Sequence, residues 1–464
     1  MNDPAIRLSW TDFVFELSEL IKTIPNAPPL YLVGGAVRDA YLRGAIGDID
    51  VAVAGDAIAV ARFVTDALDA DIYVMDRERD VARVFVKRDE GAVTVDFAKL
   101  RGATLDDDLR DRDFTMNAMA ADLLGDPSAL IDPLNGLADL RKKVLRRSSP
   151  LSIANDPIRA LRGVRLSAQF DLKIHPDTAA DIRQGAGALR QSSPERVRDE
   201  FFKLLGMAKV ARGLRVLARM GVLQQILPMG AVSLAVVERM GAILSAISSR
   251  RTDNTAAAFD LGMLVIQLDR YRAALQSHLM RVYGNGRTHS ELLILAALFH
   301  SFGAAGSIAS VRAAAKSLRL TNDEQRNLAV AVENRRAIIE REVWSTLDQH
   351  RFWHRLKEAG IDAILLGAAI DLGTEGVQLR QTHWLQFVER AAILLDAYFN
   401  RYAMIVSPRL LLDGNDVQEL LSIEPGPQIG RILTDLREAQ VIGEVTSVIE
   451  ARDFVLRSAE ERAD

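Results

Sequence analysis

The apolar residues change their period once along the chain, near residue 142, and this change constrains the fold more than any single motif. Before it, the strand-like runs PLYLVGG, DIDVAVAG, ARVFVKR and AVTVDFAKL alternate with the helical runs RDAYLRG and DAIAVARFVTDALDA, the pattern of a compact α/β domain. From Asp156 onward strand-like runs cease, and helical segments are divided by short Gly, Pro and Ser breaks. In SSPERVRDEFFKLLGM, Ser193 is placed to cap a helix whose first residue is Pro194, since proline costs nothing where the N–H has no helical partner. The end of the chain has its own turn signals at Asp413-Gly414 and Pro425-Gly426-Pro427. The reading is an α+β protein: an α/β head over residues 1–142, a helical neck over 143–215, a helical body over 216–400 and a helical tail over 401–464.

A chain of 464 residues with 49% hydrophobic and 26% charged residues can bury several cores and is not of disordered type. The absence of cysteine excludes disulfides and thiolate metal sites, so any metal must sit on oxygen or histidine, and a reducing cytoplasm is the natural setting. The N-terminus MNDPAIRLSWTDFVFELSEL lacks the basic start and apolar stretch of a secretion signal. The longest apolar run, Leu292 to Phe299, is too short to cross a bilayer, so a cytoplasmic protein without a membrane partner is expected. The net charge of −4 is uninformative about nucleic acid, but Arg141 to Arg165 holds eight basic residues against one acid.

The run LVGGAVRDAYLRGAIGDIDVAV, Leu32 to Val53, places two acids one residue apart on a strand. Alternation puts Asp48 and Asp50 on one face and turns Ile49 and Val51 into the core. Paired carboxylates repel unless a cation sits between them, and oxygen-only ligands suit Mg²⁺, which completes its shell with water and substrate phosphates; Mn²⁺ is the alternative ion. Asp96, in VTVDFAKL, is the third acid of the set, and three carboxylates hold two metals. Gly34 and Gly35 follow a strand and open a helix, where bare backbone N–H groups approach a phosphate, and Arg38 one turn on is placed to pair with a phosphate oxygen.

The order strand, Gly-Gly, helix with Arg-Asp, then Asp-x-Asp resembles the nucleotidyltransferase superfamily that includes DNA polymerase beta. The wording LVGGAVRD…DIDVAVAG is similar to the class II tRNA nucleotidyltransferases, the CCA-adding enzymes, and to their bacterial poly(A) polymerase relatives. The segment RDRDFTMNAMA resembles the family motif RRDFTINA: Asp111 departs from its first arginine, whereas Arg112, Asp113, Thr115 and Asn117 match. The resemblance implies that Arg112 contacts triphosphate or sugar and that Asn117 is a polar anchor. IDPLNGLADLRKKVLR resembles a third motif through Asp132, Gly136 and Asp139, which shape the junction of head and neck.

NDPIRALRGVRLSAQF resembles the family's EDxxR motif, with Asn155 in place of its glutamate. Read as i and i+3 on one helix, Asp156 and Arg159 are neighbours. A carboxylate accepts from the amine of cytosine or adenine, a guanidinium donates to the adjacent ring nitrogen or carbonyl, and the carbonyl of guanine or uracil is repelled. The pair is thus expected to select C and A without a template, with Arg162 and Arg165 continuing the ridge. Lys142, Lys143, Arg146 and Arg147 are expected to neutralise RNA phosphates, and Arg196 and Arg198 of the motif SSPERVRDEFFKLL to touch RNA.

RTHSELLILAALFHSFG looks like the helix bearing the His-Asp pair of HD phosphohydrolase domains, but Ser301 follows His300. The expectation is a degenerate HD-like scaffold in which His300 packs or caps, with no other histidine of the seven at a convincing ligand spacing. The tail resembles the segment of bacterial CCA-adding enzymes that meets the body of tRNA. Together these features imply Mg²⁺-dependent transfer of CMP or AMP from CTP or ATP to a tRNA 3′ end, with no DNA partner. Only sixteen residues separate Asp96 from Asp113, and short versions of this span resemble enzymes that add CC alone. A poly(A) polymerase and a catalytically decayed RNA-binding protein are the alternatives.

Overall fold

The computed structural model describes residues 7–44, 47–88, 91–227, 234–248, 257–300, 308–374 and 381–460, and within them the chain divides into two compact units. Unit one comprises residues up to Phe201 with Arg212–Pro228, and unit two Phe202–Ala211 with Met229 onward.

Unit one is built on a six-stranded mixed sheet in the order β3-β4-β5-β2-β1-β6. Its strands are β1 (Leu30–Val33), β2 (Ile49–Val53), β3 (Asp71–Asp76), β4 (Val81–Val86), β5 (Val93–Lys99) and β6 (Ala120–Asp122). β2 and β5 run parallel and the other neighbours antiparallel. Leu30, Leu32, Ile49, Val51, Val84, Val95 and Phe97 are buried in one core with residues of α1 (Asp12–Lys22), α2 (Gly35–Leu42) and α3 (Ala57–Leu68). Period-2 burial therefore turns the acidic residues of the central strands away from that core.

Two small strands not anticipated from the sequence, β7 (Val144–Leu145) and β8 (Lys173–Ile174), pair in parallel beyond the head. At two residues each they are below the length at which alternation is readable. Around them lie α4 (Leu105–Arg110), α5 (Gly136–Arg141), α6 (Ser152–Asn155), α7 (Ile158–Gln169), α8 (Pro176–Gly185) and α9 (Pro194–Leu205). Pro194 opens α9, and the Ser193 hydroxyl accepts from the Arg196 N–H at 3.4 Å.

Among its described residues unit two is helical. A separate core of Leu412, Val417, Ile429, Ile432, Leu436, Ala439, Val445, Ala451 and Val455 joins its last three helices, Gly414–Leu421, Pro427–Val441 and Val448–Glu460. Asp413 caps the first with a capping box, and Pro427 opens the second, so both turn signals act as helix starts. His300 is buried at the end of the helix His289–Phe299, its Nδ1 2.8 Å from the Ala297 carbonyl. Ser301 lies outside the described residues. No helix among the described residues is long and apolar enough to cross a membrane.

Candidate active site

In-register pairing of β2 with β5 sets Asp50 directly beside Asp96. Asp48 stands exposed one residue before β2, while Ile49 and Val51 are buried, as alternation requires. Burial pushes the Asp50 carboxyl up to about 6; Arg112 opposes the shift, and Asp96 and Asp48 add to it. Three carboxylates at the end of adjacent strands thus form a site in want of cationic charge. Part of that charge comes from Arg83 on β4, whose Nε and Nη2 each donate to Asp96 at 2.7 Å and whose guanidinium lies 3.9 Å from Asp48. Arg83 has no counterpart among the motif residues. Its position opposite Asp96 in the antiparallel β4–β5 register was the available signal.

The Gly-Gly turn abuts these acids. Gly34 has φ +76° and ends β1 at the N-cap of α2, and a Cβ there would stand 2.9 Å from Asp50 Oδ2 and 3.2 Å from an Arg112 nitrogen. Glycine is required twice, by the backbone and by the acid opposite. Arg38, expected to face a phosphate, is instead buried: Nη1 donates to Asn117 Oδ1 at 2.7 Å, two bonds reach Asp39, and the guanidinium lies 4.4 Å from the Phe170 ring centre. Asn117 in turn donates to Asp113 at 3.1 Å. Arg38 therefore anchors the second motif and is not among the residues lining the cleft described below.

Arg112 Nε donates to the buried Asp108 at 2.8 Å, and Asp108 also accepts from the Arg101 N–H at 3.1 Å. Asp108 sits on α4, outside every motif, and holds the Arg112 fork beside Gly34. The third motif is a staple: Asp132 accepts from the N–H groups of Gly136 and Leu137, and Asp139 accepts from the Thr115 hydroxyl and from Arg146. A Cβ on Gly136 would lie 2.1 Å from the Thr115 carbonyl oxygen.

The selector motif departs from its expected geometry. Asp156 is the extended C-cap of α6 and Arg159 lies in α7, so the two do not share a helix. Pro157, which cannot continue a helix from a preceding turn, separates them. Asp156 receives Arg196 from α9 at 2.7 Å. The buried Arg159 donates to the carbonyls of Asp111 (2.7 Å), Arg112 (3.1 Å) and Ser152 (3.1 Å). Arg162 lies 3.4 Å from Asp113 and 3.7 Å from Glu200, and Arg165 pairs with Glu200 away from the cleft.

The basic run is also less bare than its composition suggests. Lys143 pairs with Asp171, Arg146 with Asp139 and Arg147 with Asp181, while Arg198 bonds Asp199. Lys142 is exposed. Acids outside the run, Asp139, Asp171 and Asp181, pair with three of its members in space, which a local count of charge misses.

These elements surround an open cleft of about 1170 Å³ lined by Gly34, Gly35, Asp50, Asp96, Arg101, Arg112, Asn117, Asn155, Asp156, Arg159, Arg162 and Arg196. Acids and arginines are interleaved along it, Arg112 beside Asp50 at Gly34 and Arg196 paired with Asp156, in a volume of the size that small-molecule sites have. A mixed sheet that presents paired acids beside a Gly-Gly helix start defines the head of a nucleotidyltransferase. Residues 30–146 match the model of the poly(A) polymerase head domain, and residues 171–234 that of the probable RNA and SrmB-binding site of polymerase A. The chain belongs to the tRNA nucleotidyltransferase family: a CC-adding tRNA nucleotidyltransferase of Geobacter sulfurreducens is 33% identical over 92% of this chain and 91% of its own length. An A-adding tRNA nucleotidyltransferase of Deinococcus radiodurans is 31% identical over 94% of this chain and 97% of its own. The fold is that of a solved apo CCA-adding enzyme, with TM-score 0.66, 21% identity, and 96% of this chain and 93% of that chain covered.

Proposed function

We propose that this chain adds CMP, AMP or both to the 3′ end of tRNA without a nucleic-acid template, in the cytoplasm. The observation that carries the reading is the in-register Asp50–Asp96 pair in a cleft that Arg101, Arg112, Arg159, Arg162 and Arg196 also line. Asp48 and Asp50, with Asp96, are the residues that would hold Mg²⁺; the raised carboxyl of Asp50 and the glycine that clears space before it fit a cation there. Bound divalent ions would activate the RNA 3′-hydroxyl and steady the leaving phosphates. The hydroxyl oxygen attacks the α-phosphorus of CTP or ATP, the bond to the bridging oxygen breaks, and pyrophosphate leaves with the electron pair.

Around that step the protein's own groups bind and orient. The N–H groups at the start of α2 and the Arg112 fork face the triphosphate, and Asn117, held by Arg38, keeps Asp113 in place. Asp156 is the base-facing acceptor, and Arg162 with Arg196 supplies donors on the same wall. Arg159, which also lines the cleft, acts through the Asp111 and Arg112 carbonyls. Lys142, Lys143, Arg146, Arg147 and Arg198 belong to the RNA side of the reading. The acid partners of Lys143, Arg146, Arg147 and Arg198 weaken, without removing, their attraction for phosphates.

A CC-only enzyme is the narrower reading favoured by one observation. The span from Asp96 to Asp113 finishes β5 and forms α4 with a Thr104–Asp107 capping box, leaving no long loop. Incubating the purified chain with tRNA truncated to each partial 3′ end, with CTP or ATP alone, tests both statements. Efficient AMP addition to tRNA-CC overturns the CC-only reading, and long A tails on unstructured RNA indicate a poly(A) polymerase. Absence of any incorporation, with tRNA binding intact, indicates a decayed enzyme.

A further inference from the structure

Unit two holds a second cluster of metal-ligating groups that no motif marks. The helix Arg272–Met280 ends at a tight reversal through Tyr283 and Gly286, where Val282 bridges Thr288 and the Tyr283 N–H donates to the Arg287 carbonyl at 2.8 Å. The reversal brings His289, the first residue of the next helix, beside His278 of the preceding one, with ring centres 4.6 Å apart. Asp362, from the helix Ala359–Thr374, enters from the other side, its Oδ1 2.7 Å from His278 Nε2 and its Oδ2 3.6 Å from His289 Nδ1. His278, His289 and Asp362 are 5%, 2% and 3% exposed, and one ligand atom from each lies within 4.8 Å of the others.

A hydrogen-bond cluster alone leaves this arrangement incomplete. Asp362 satisfies His278, but His289 Nδ1 is buried with no hydrogen-bond partner, which a native interior ordinarily avoids. Its ring is fixed by stacking on Tyr283, centre to centre 4.6 Å and 14° from parallel, and the Tyr283 hydroxyl accepts from Asn327 at 3.0 Å. An oriented imidazole whose Nδ1 reaches the carboxylate only at 3.6 Å, beside a second imidazole, is a donor set of two nitrogens and one oxygen. That set suits zinc, with bonds of about 2.0–2.2 Å.

We infer that His278, His289 and Asp362 bind a zinc ion that links three helices of the body, with a non-protein ligand such as water in the fourth tetrahedral position. The expectation of a lost metal pair rested on His300, which is not one of these ligands. The new site also shares no residue with the acids of the head, so its zinc and the Mg²⁺ of catalysis are separable.

The test uses the full-length chain, purified without a histidine tag or chelator and dialysed. Metal content by mass spectrometry is expected to be about one zinc per chain. Stripping and adding Co²⁺ is expected to give the intense visible bands of a tetrahedral ion, erased by zinc. Asp362→Asn and His289→Gln are expected to lose both signals, and the double variant Asp48→Asn, Asp50→Asn to retain both. Zinc-free protein that gives only the weak spectrum of octahedral Co²⁺ overturns the site, as does zinc retained equally by the body variants. The wild-type measurements decide even where a variant fails to fold.

Discussion

Arg83 and Asp96 face each other across the β4–β5 ladder and make a bidentate pair, both bonds 2.7 Å. An arginine fork thereby occupies one carboxylate of a three-acid site, and its 3.9 Å approach to Asp48 spreads the same charge to a second. The protein compensates part of its own acid cluster with a fixed cation, leaving Asp50 as the carboxylate most in need of another.

Arg83→Met removes that compensation. The variant is expected to lose on the order of 1–3 kcal/mol of stability without divalent ions, and to recover part of it as Mg²⁺ is added. Thermal unfolding with and without Mg²⁺ checks this; equal destabilisation in both conditions would mean that the pair is purely architectural.

Gly34→Ala places a methyl at φ +76° and within 2.9 Å of Asp50 Oδ2. The backbone cost at φ +76° and ψ −144° is on the order of 1–3 kcal/mol, but Asp50 must also swing aside. Nucleotide incorporation is therefore expected to fall by on the order of 10²-fold or more, well beyond what the melting temperature implies. Steady-state rates beside a melting curve separate the two effects, and a variant of normal rate would show that Asp50 does not need its observed position.

The acid limb of activity is expected near pH 6. Asp50 titrates at about 6 in the folded chain instead of 3.8, so a proton competes with a metal there. At limiting Mg²⁺, incorporation should decline as pH falls through about 6, and higher Mg²⁺ should displace the limb to lower pH. Stability runs the opposite way: because the folded state binds this proton more tightly, Asp50's contribution is greatest below its unfolded pKa and diminishes as pH rises towards the folded one. A limb that ignores Mg²⁺ concentration would separate Asp50 from the metal.

Asp156 and Arg159 should behave differently when changed. Asp156→Asn keeps size but exchanges an acceptor-only group for one that also donates, so discrimination against UTP and GTP should relax by about 5- to 150-fold with little loss of stability. Arg159→Ala uncovers the carbonyls of Asp111, Arg112 and Ser152. It should cost on the order of 2–3 kcal/mol and lower activity with all four nucleotides alike. Competition assays with paired nucleotides, next to denaturation curves, distinguish a base reader from a support. A nucleotide-selective Arg159→Ala defect of normal stability would reverse these roles.

Much of the head was legible in the sequence because local rules govern it. A period of two fixes the faces of β2 and β5, so Asp50 and Asp96 read as outward-facing acids beside buried Ile49, Val51, Val95 and Phe97. Ser193-Pro194 reads as a helix start because capping involves groups within a few residues of each other, and the turn read at Asp413-Gly414 proves to cap a helix for the same reason. The order of Gly34, Gly35, Asp48 and Asp50 resembles a nucleotidyltransferase head, and it is readable because a turn that bares backbone N–H groups and a strand that aligns two acids are both short-range constructions.

Tertiary structure decided which polar partner each charged side chain takes. Arg38 turns to Asn117 across 79 positions, Arg159 to the Asp111 carbonyl across 48, and Asp156 to Arg196 across 40. His278 and His289 meet Asp362 only because three helices pack together. A buried guanidinium or imidazole must satisfy its hydrogen bonds wherever packing supplies acceptors, and packing is set by apolar burial over the whole unit. Sequence alone therefore determined the period of each element and the chemical inventory of the cleft. The folded chain determined which of those groups face substrate and which hold the others in place.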